Sequence, residues 1–108
     1  MITLTDKEER WKNNEDLKNA VTQWCDRIQV DVKEIQIRQM KRKWASISTN
    51  GRLTLNSELL DIPRELGEFV IVHELVHLIV PNHSKLFKCF MMAHLPDWEE
   101  REKRLKLQ

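Results

Sequence analysis

The sequence predicts a small α+β domain, and three observations predict it. Leu17, Ala20, Val21, Trp24 and Ile28 recur at helical spacing with charges between them, an amphipathic helix ending near Ile28. From Ile35 to Leu55 the period changes to two, which reads as three short strands. A second helix, from about Pro63 to Ile79, is apolar all round in its second half, so it belongs at the centre of the fold. The chain has 108 residues, enough for a single domain over 1–108 with one modest core.

Each element has its own signals. Thr5-Asp6-Lys7-Glu8 reads as a capping box opening a short polar helix towards Trp11, and Asn13-Asn14 interrupts or recaps it. Ile35 and Ile37 alternate with Gln36 and Arg38, and Trp44, Ser46 and Ser48 alternate with Ala45 and Ile47. Asn50-Gly51 signals a two-residue hairpin, and Leu53 and Leu55 continue beyond it, so an antiparallel meander is expected. Leu59, Leu60 and Ile62 are apolar anchors, and Asp61-Ile62-Pro63 suits a helix start. Ser84 N-caps a further helix with Phe87, Phe90 and Met91 inward, and Pro96 ends it. Asp97-Trp98-Glu99-Glu100 caps a last helix, a C-terminal tail over 97–108 that carries Leu105 and Leu107.

The chemistry gathers in Val72-His73-Glu74-Leu75-Val76-His77-Leu78-Ile79-Val80-Pro81-Asn82-His83-Ser84. His73 and His77 form an H-E-x-x-H pair, one turn apart on one helix face, so both imidazoles reach one ion. On a continuous helix His83 would sit about 240° round the axis and roughly 9 Å further along, out of reach. Pro81 removes that obstacle by stopping the helix, and Pro81-Asn82 favours a turn that carries His83 back. Three histidines with an open fourth position form the catalytic zinc arrangement, with Glu74 beside it as general base.

The competing readings are satisfied core histidines and a Glu74 that only orients a ligand or forms a salt bridge. Against the first, His73, Glu74 and His77 are the only polar residues in the driest part of the chain, and burying them unpaired is costly. The spacing also fits the H-E-x-x-H-x-x-G-x-x-H frame of metzincins, but Val80 stands at the glycine, so the turn differs. No carboxylate stands at an alternative ligand position, and His83 is retained. The chain has no tyrosine to help stabilise a tetrahedral intermediate. His94, Arg38 and Asn56 are the remaining candidates, while Asn82 reads as a turn former.

Composition narrows the partners. At 41% hydrophobic and 32% charged with a net charge of +1, the chain is globular and carries no overall field towards nucleic acid. Arg38, Lys41, Arg42 and Lys43 form the largest local excess, read as a solvated strand edge and turn. Met1 to Asp6 lacks the pattern of a signal peptide, and the apolar stretch round the histidines is too short and polar to span a bilayer. A cytoplasmic protein without membrane contact is expected. Cys25 and Cys89 are far apart in sequence, and buried free thiols are expected.

These residues also carry a family resemblance. Arg38-Gln-Met40-Lys-Arg-Lys43-Trp44-Ala45-Ser46 resembles the R-x-M-x-x-R-W-G-S-C element of YgjP-like metallopeptidase domains. Gly51-Arg-Leu53-Thr-Leu55-Asn56 with Leu60 and Pro63 resembles their G-x-I-x-L-N…L…P run, and His73 to Phe87 their H-E-L-x-H-L…N-H-S-x-x-F. Pro96-Asp97 matches a later P-D. Lys43, Ala45 and Ile47 stand where that family has arginine, glycine and cysteine. The chain is shorter than typical members and resembles the minimal soluble zincins called minigluzincins, in which histidine replaces glutamate as third ligand. The resemblance implies a zincin-like fold and a zinc-dependent peptidase, with ligands at His73, His77 and His83 and the catalytic glutamate at Glu74.

The sequence reading is therefore a minimal zincin-like α+β domain: an N-terminal helix, a three-stranded sheet, an active-site helix and C-terminal helices. It binds one Zn2+ ion and cleaves peptides or proteins, as an endopeptidase rather than an exopeptidase. It acts as a monomer or as a weak homodimer through the C-terminal helix. The tail is long enough to fold back, so that Glu99, Glu100 or the C-terminal carboxylate takes the open zinc position in a latent enzyme; the competing expectation is a solvated or dimerising helix. Two rival functions are a zinc hydrolase of another bond, such as a nucleotide phosphoanhydride, and an inactive zinc-stabilised binding module.

Overall fold

In the computed structural model, residues 9–108 are described. The expected capping box at Thr5 to Glu8 lies outside them. Asn13 starts the first helix, α1 (Asn14–Ile28), its side chain accepting from the Asp16 N–H at 2.9 Å. Its buried stripe is Leu17, Val21, Trp24 and Ile28, as the spacing predicts.

The sheet corrects the expected meander. Its strands are β1 (Glu34–Arg38), β2 (Ala45–Ile47) and β3 (Arg52–Asn56), in the order β1-β3-β2. β2 and β3 are antiparallel, with Ala45 opposite Leu55 and Ile47 opposite Leu53. β1 is parallel to β3, from Glu34 opposite Arg52 to Arg38 opposite Asn56. The cause lies in burial and in the connection. Leu53, Thr54, Leu55 and Asn56 are all buried, so β3 takes the centre, while β1 alternates exposed and half-buried residues as an edge strand does. The segment 39–44 is too long for a tight hairpin and passes over the Asn56 end of β3.

The β2–β3 turn also differs from the expected two-residue form. Gly51 N–H bonds the Ser48 carbonyl at 3.0 Å, which puts Thr49 and Asn50 at the turn's centre. Gly51 follows at φ 93°, and Asn50 has no positive φ. This is a turn followed by a left-handed residue, the geometry of longer hairpin loops.

A 3₁₀ turn (Ser57–Asp61) buries Leu59 and leads to α2 (Arg64–Val76). α2 packs against α1, β2 and both C-terminal helices. Leu66, Ile71, Val72, Leu75 and Val76 are each fully buried, so each side chain contributes about 1.5–3 kcal/mol relative to exposure. Gly67 meets the Trp11 ring, and a Cβ there would collide with it. α2 ends at Val76, three residues before the expected Ile79. The last turn tightens: His77, Leu78 and Ile79 donate to the carbonyls of Glu74, Leu75 and Val76 at 3.2, 3.0 and 2.9 Å.

Ser84 caps α3 (Lys85–His94), which buries Phe87 and Met91 and half-buries Phe90. Cys89 is exposed and Cys25 is partly buried; both are free. Cys89 thus corrects the expectation of two buried thiols, because it lies midway between two inward residues, on the opposite side of the helix. The last helix, α4 (Trp98–Leu105), lays Trp98 and Leu105 on the core. Asp97 does not cap it through its side chain, because that carboxylate pairs with Arg101 at 2.9 Å. Among the described residues no helix is long and apolar enough to cross a membrane.

Candidate metal centre

The site lies at the C-terminal end of α2. His73 is on the helix, and His77 stands at its C-cap with φ −63° and ψ −18°, still near helical, so the two rings remain one turn apart. The chain then turns at Pro81 and returns His83. His83 Nε2 lies 3.2 Å from His73 Nε2 and 3.1 Å from His77 Nε2. Among the described residues, these three form the one His/Cys/Asp/Glu group with ligand atoms close enough to share an ion.

The far side of two rings is fixed. His77 Nδ1 is 3.1 Å from the Val80 carbonyl oxygen, a bond it makes by donating. His73 Nδ1 is 3.1 Å from Glu74 Oε2 and donates in the same way to a carboxylate. On a neutral ring whose Nδ1 donates, Nε2 carries the bare lone pair. Burial pushes His77 below the ordinary imidazole pKa, with its bond to Val80 opposing the shift, so the ring is neutral at pH 7. A single Nε2 proton on His83 cannot serve two bare neighbours 3.1–3.2 Å away. A cation satisfies all three. Zinc bonds of about 2.0–2.1 Å in a tetrahedron require nitrogens about 3.3–3.4 Å apart, close to what is present. The donor set fits the metal.

Phe87 supports the tripod from α3, its ring centroid 4.7 Å from that of His77 and 4.9 Å from that of His83. A cleft of about 450 Å³ opens in front, lined by Ile47, Ser48 and Thr49 on one side and by Leu78 and Pro81 with His77 and His83 on the other. Glu74 lines this cleft and also a groove on its far side, which holds Arg42, Lys43, Trp44, His73 and Glu102. Its side chain is 16% exposed, accessible but sheltered.

The other candidates lie elsewhere. Asn56 is 4% exposed, and its amide donates to the carbonyls of Met40 at 3.0 Å and Lys43 at 2.8 Å. Its side-chain oxygen accepts from the Glu58 N–H at 3.0 Å. It is a clasp for the 39–44 loop, not a cleft residue. Arg38 lines a separate basic pocket with Lys41 and Arg42, and His94 ends α3; neither lines the histidine cleft. Glu99 and Glu100 are exposed and belong to no ligand group. Sequence reasoning missed Ser48 and Thr49, which only the hairpin brings to the cleft, and Glu102, which only the docking of α4 brings to the groove.

The comparisons with known proteins agree with this geometry. The YgjP-like metallopeptidase domain model matches residues 4–108. The chain belongs to that family. Among solved structures it is similar to the metallopeptidase zymogen of Methanocaldococcus jannaschii jannalysin, with 26% identity and a TM-score of 0.77, covering 84% of this chain and 94% of that one. The metallopeptidase zymogen of Pyrococcus abyssi abylysin shares the fold, with 24% identity, a TM-score of 0.73 and coverage of 82% and 90%. Against curated protein sequences the chain finds no match. The family and these neighbours bear out the α+β zincin-like fold read from the sequence.

Proposed function

We propose that this YgjP-like protein is a zinc-dependent endopeptidase. His73, His77 and His83 hold one zinc ion, and Glu74 acts as general base and then general acid. The observation that carries the reading is the convergence of three imidazole Nε2 atoms at a cleft edged by β2. A bound zinc ion supplies a Lewis acid for the scissile carbonyl and lowers the pKa of bound water towards neutrality.

The chain's own residues do the rest. Among the described residues β2 is an edge strand, which offers its outer N–H and C=O groups to an extended peptide. Ile47, Leu78 and Pro81 give the cleft apolar walls that exclude water from the bond under attack. Glu74 Oε takes a proton from the attacking water and delivers it to the leaving amine nitrogen. The Nδ1 bonds to Glu74 and to the Val80 carbonyl hold His73 and His77 in orientation. A peptide or protein of the cytoplasm is the substrate, and the chain acts as a monomer or weak homodimer.

The tail supports a latent form. α4 docks on α2 through Arg104 to Glu65 at 2.6 Å and Arg101 to the Glu65 carbonyl at 3.0 Å. This sets Glu102 in the groove beside His73 and Glu74. Occlusion by α4 is the form of latency this supports, because Glu99 and Glu100 face solvent. Removing α4 would expose its Trp98 and Leu105 contacts, so Glu102→Ala is the cleaner test. Higher cleavage by that variant is expected, and unchanged activity would sink the latency.

A phosphoanhydride hydrolase is the second reading, favoured by the basic pocket of Arg38, Lys41 and Arg42. That pocket holds none of the histidines, so it ranks below the peptidase. An inactive zinc module has less support, since no fourth side chain joins the ligand group among the described residues. The deciding experiment pairs zinc analysis with digestion of a peptide library and of nucleoside triphosphates. One zinc per chain and peptide cleavage lost in Glu74→Gln are expected; equal cleavage by that variant, or phosphate release alone, would overturn the reading.

A further inference from the structure

The sequence reading gave Arg38, Lys41, Arg42 and Lys43 no task beyond solvation. In the structure they stand apart from the protein's other cations. Every other arginine has a partner: Arg52, Arg64, Arg101 and Arg104 form ion pairs, Arg27 lies over the Trp24 ring, and Arg10 donates to the Asp61 carbonyl. Arg38 and Arg42 have none among the described residues, and no acidic side chain lines the pocket they share. Free surface lysines are ordinary. Two unpaired arginines within five residues, beside a catalytic groove, are not.

The loop is also held in place. The buried Asn56 amide fixes the carbonyls of Met40 and Lys43, and the Asn56 N–H donates to the Trp44 carbonyl at 2.9 Å. A loop pinned at three carbonyls presents its cations from a set position, which lowers the ordering cost of binding. Arg42 and Lys43 face the groove that His73 and Glu74 also line. Into that groove the chain sends a carboxylate of its own, Glu102, without closing an ion pair to either cation.

We propose that Arg42 and Lys43 form a subsite for an acidic side chain of the peptide substrate, with Arg38 and Lys41 extending the positive field away from the cleft. The proposal rests on the peptidase reading and names its substrate class: peptides carrying Asp or Glu on the Trp44 side of the scissile bond. Arg42 is suited to a bidentate grip on a carboxylate, and Lys43 adds a point charge. Glu102 stands where such a carboxylate would lie.

Binding and cleavage are measured separately on the full-length, zinc-loaded protein. In a Glu74→Gln background, fluorescence anisotropy compares an octapeptide rich in Asp and Glu with its Asn and Gln counterpart. The acidic peptide is expected to bind about five- to tenfold tighter at low salt, with the preference shrinking as ionic strength rises. Arg42→Gln with Lys43→Gln removes the preference and leaves the neutral peptide's affinity unchanged, and Arg42→Lys restores part of it. Circular dichroism establishes that each variant is folded. Equal affinity for the two peptides, a preference that survives the double substitution, or tighter binding of a short RNA than of the acidic peptide would each overturn the subsite. Acid-selective binding without cleavage by either the wild type or Glu102→Ala would leave the subsite standing and defeat the peptidase reading. Cleavage without acid preference would do the reverse.

Discussion

The two halves of α2 are built differently. The first half, Arg64 to Phe69, is tied to parts of the chain far away in sequence. Arg64 pairs with Glu9 at 2.6 Å, Glu65 with Arg104 at 2.6 Å, and Gly67 lies against Trp11. The second half, Val70 to Val76, has an apolar surround, and its polar side chains find only local partners. His73 meets Glu74 and His83, and His77 meets Val80 and His83. One half anchors the helix in the fold and the other carries the histidines. The long-range ties leave the polar side chains of the second half free of structural duty, though Ile71, Val72, Leu75 and Val76 belong to the core, so substitutions of the polar residues separate the two halves.

The largest effect tests the reactive end. Glu74→Gln is expected to lower peptide hydrolysis by about 10²–10⁴-fold, the usual contribution of a general acid–base group, while zinc content and melting temperature stay unchanged. A variant that lost zinc as well would mean that Glu74 acts mainly through His73 Nδ1. His83→Ala comes next. Losing a partner of a ligand costs about 10–100-fold in metal affinity, so losing the ligand itself should cost at least about 100-fold by competitive chelation. The metal-free protein should keep its stability, because His83 is exposed. Unchanged zinc affinity would remove His83 from the tripod.

Substitutions in the anchoring half should do the opposite. Gly67→Ala drives a methyl group into the Trp11 ring and is expected to cost about 1–3 kcal/mol in denaturant unfolding. Activity per folded molecule should not change. Should that variant bind zinc poorly, the separation of the two halves fails. Arg104→Gln breaks a half-exposed pair with Glu65 and is expected to cost at most about 1 kcal/mol. A larger loss would make α4 a structural strut of the fold.

The same contrast explains what was legible. The reactive half is written within eleven residues, His73 to His83, so its spacing, its proline and its apolar surround could all be read locally. Helices α1 and α3 were legible for the same reason, through caps at Asn13 and Ser84 and stripes at helical period. The ties of the anchoring half join residues up to 56 apart, and no local pattern announces them. Asn56 is the clearest case. Its type suits a turn or a site, and only three distant carbonyls and a neighbouring N–H reveal a clasp. The sheet order was hidden likewise, because alternation marks strands but not their neighbours. β3 is the most buried of the three, yet Arg52-Leu-Thr-Leu-Asn56 is no more apolar than Glu34-Ile-Gln-Ile-Arg38, so composition could not announce it.

That sheet order also bears on how molecules of this protein meet each other. Open strand edges are templates for intermolecular pairing, and proteins blunt them with short strands and charge. Here β1 presents exposed Glu34, Gln36 and Arg38 along one edge, and β2 ends the other after three residues. At about 3.3 Å per residue, the second edge is only about 10 Å long, too brief to nucleate a growing stack. Among the described residues, the strand left open beside the histidines is thus also the one least able to serve as a template for copies of the same chain.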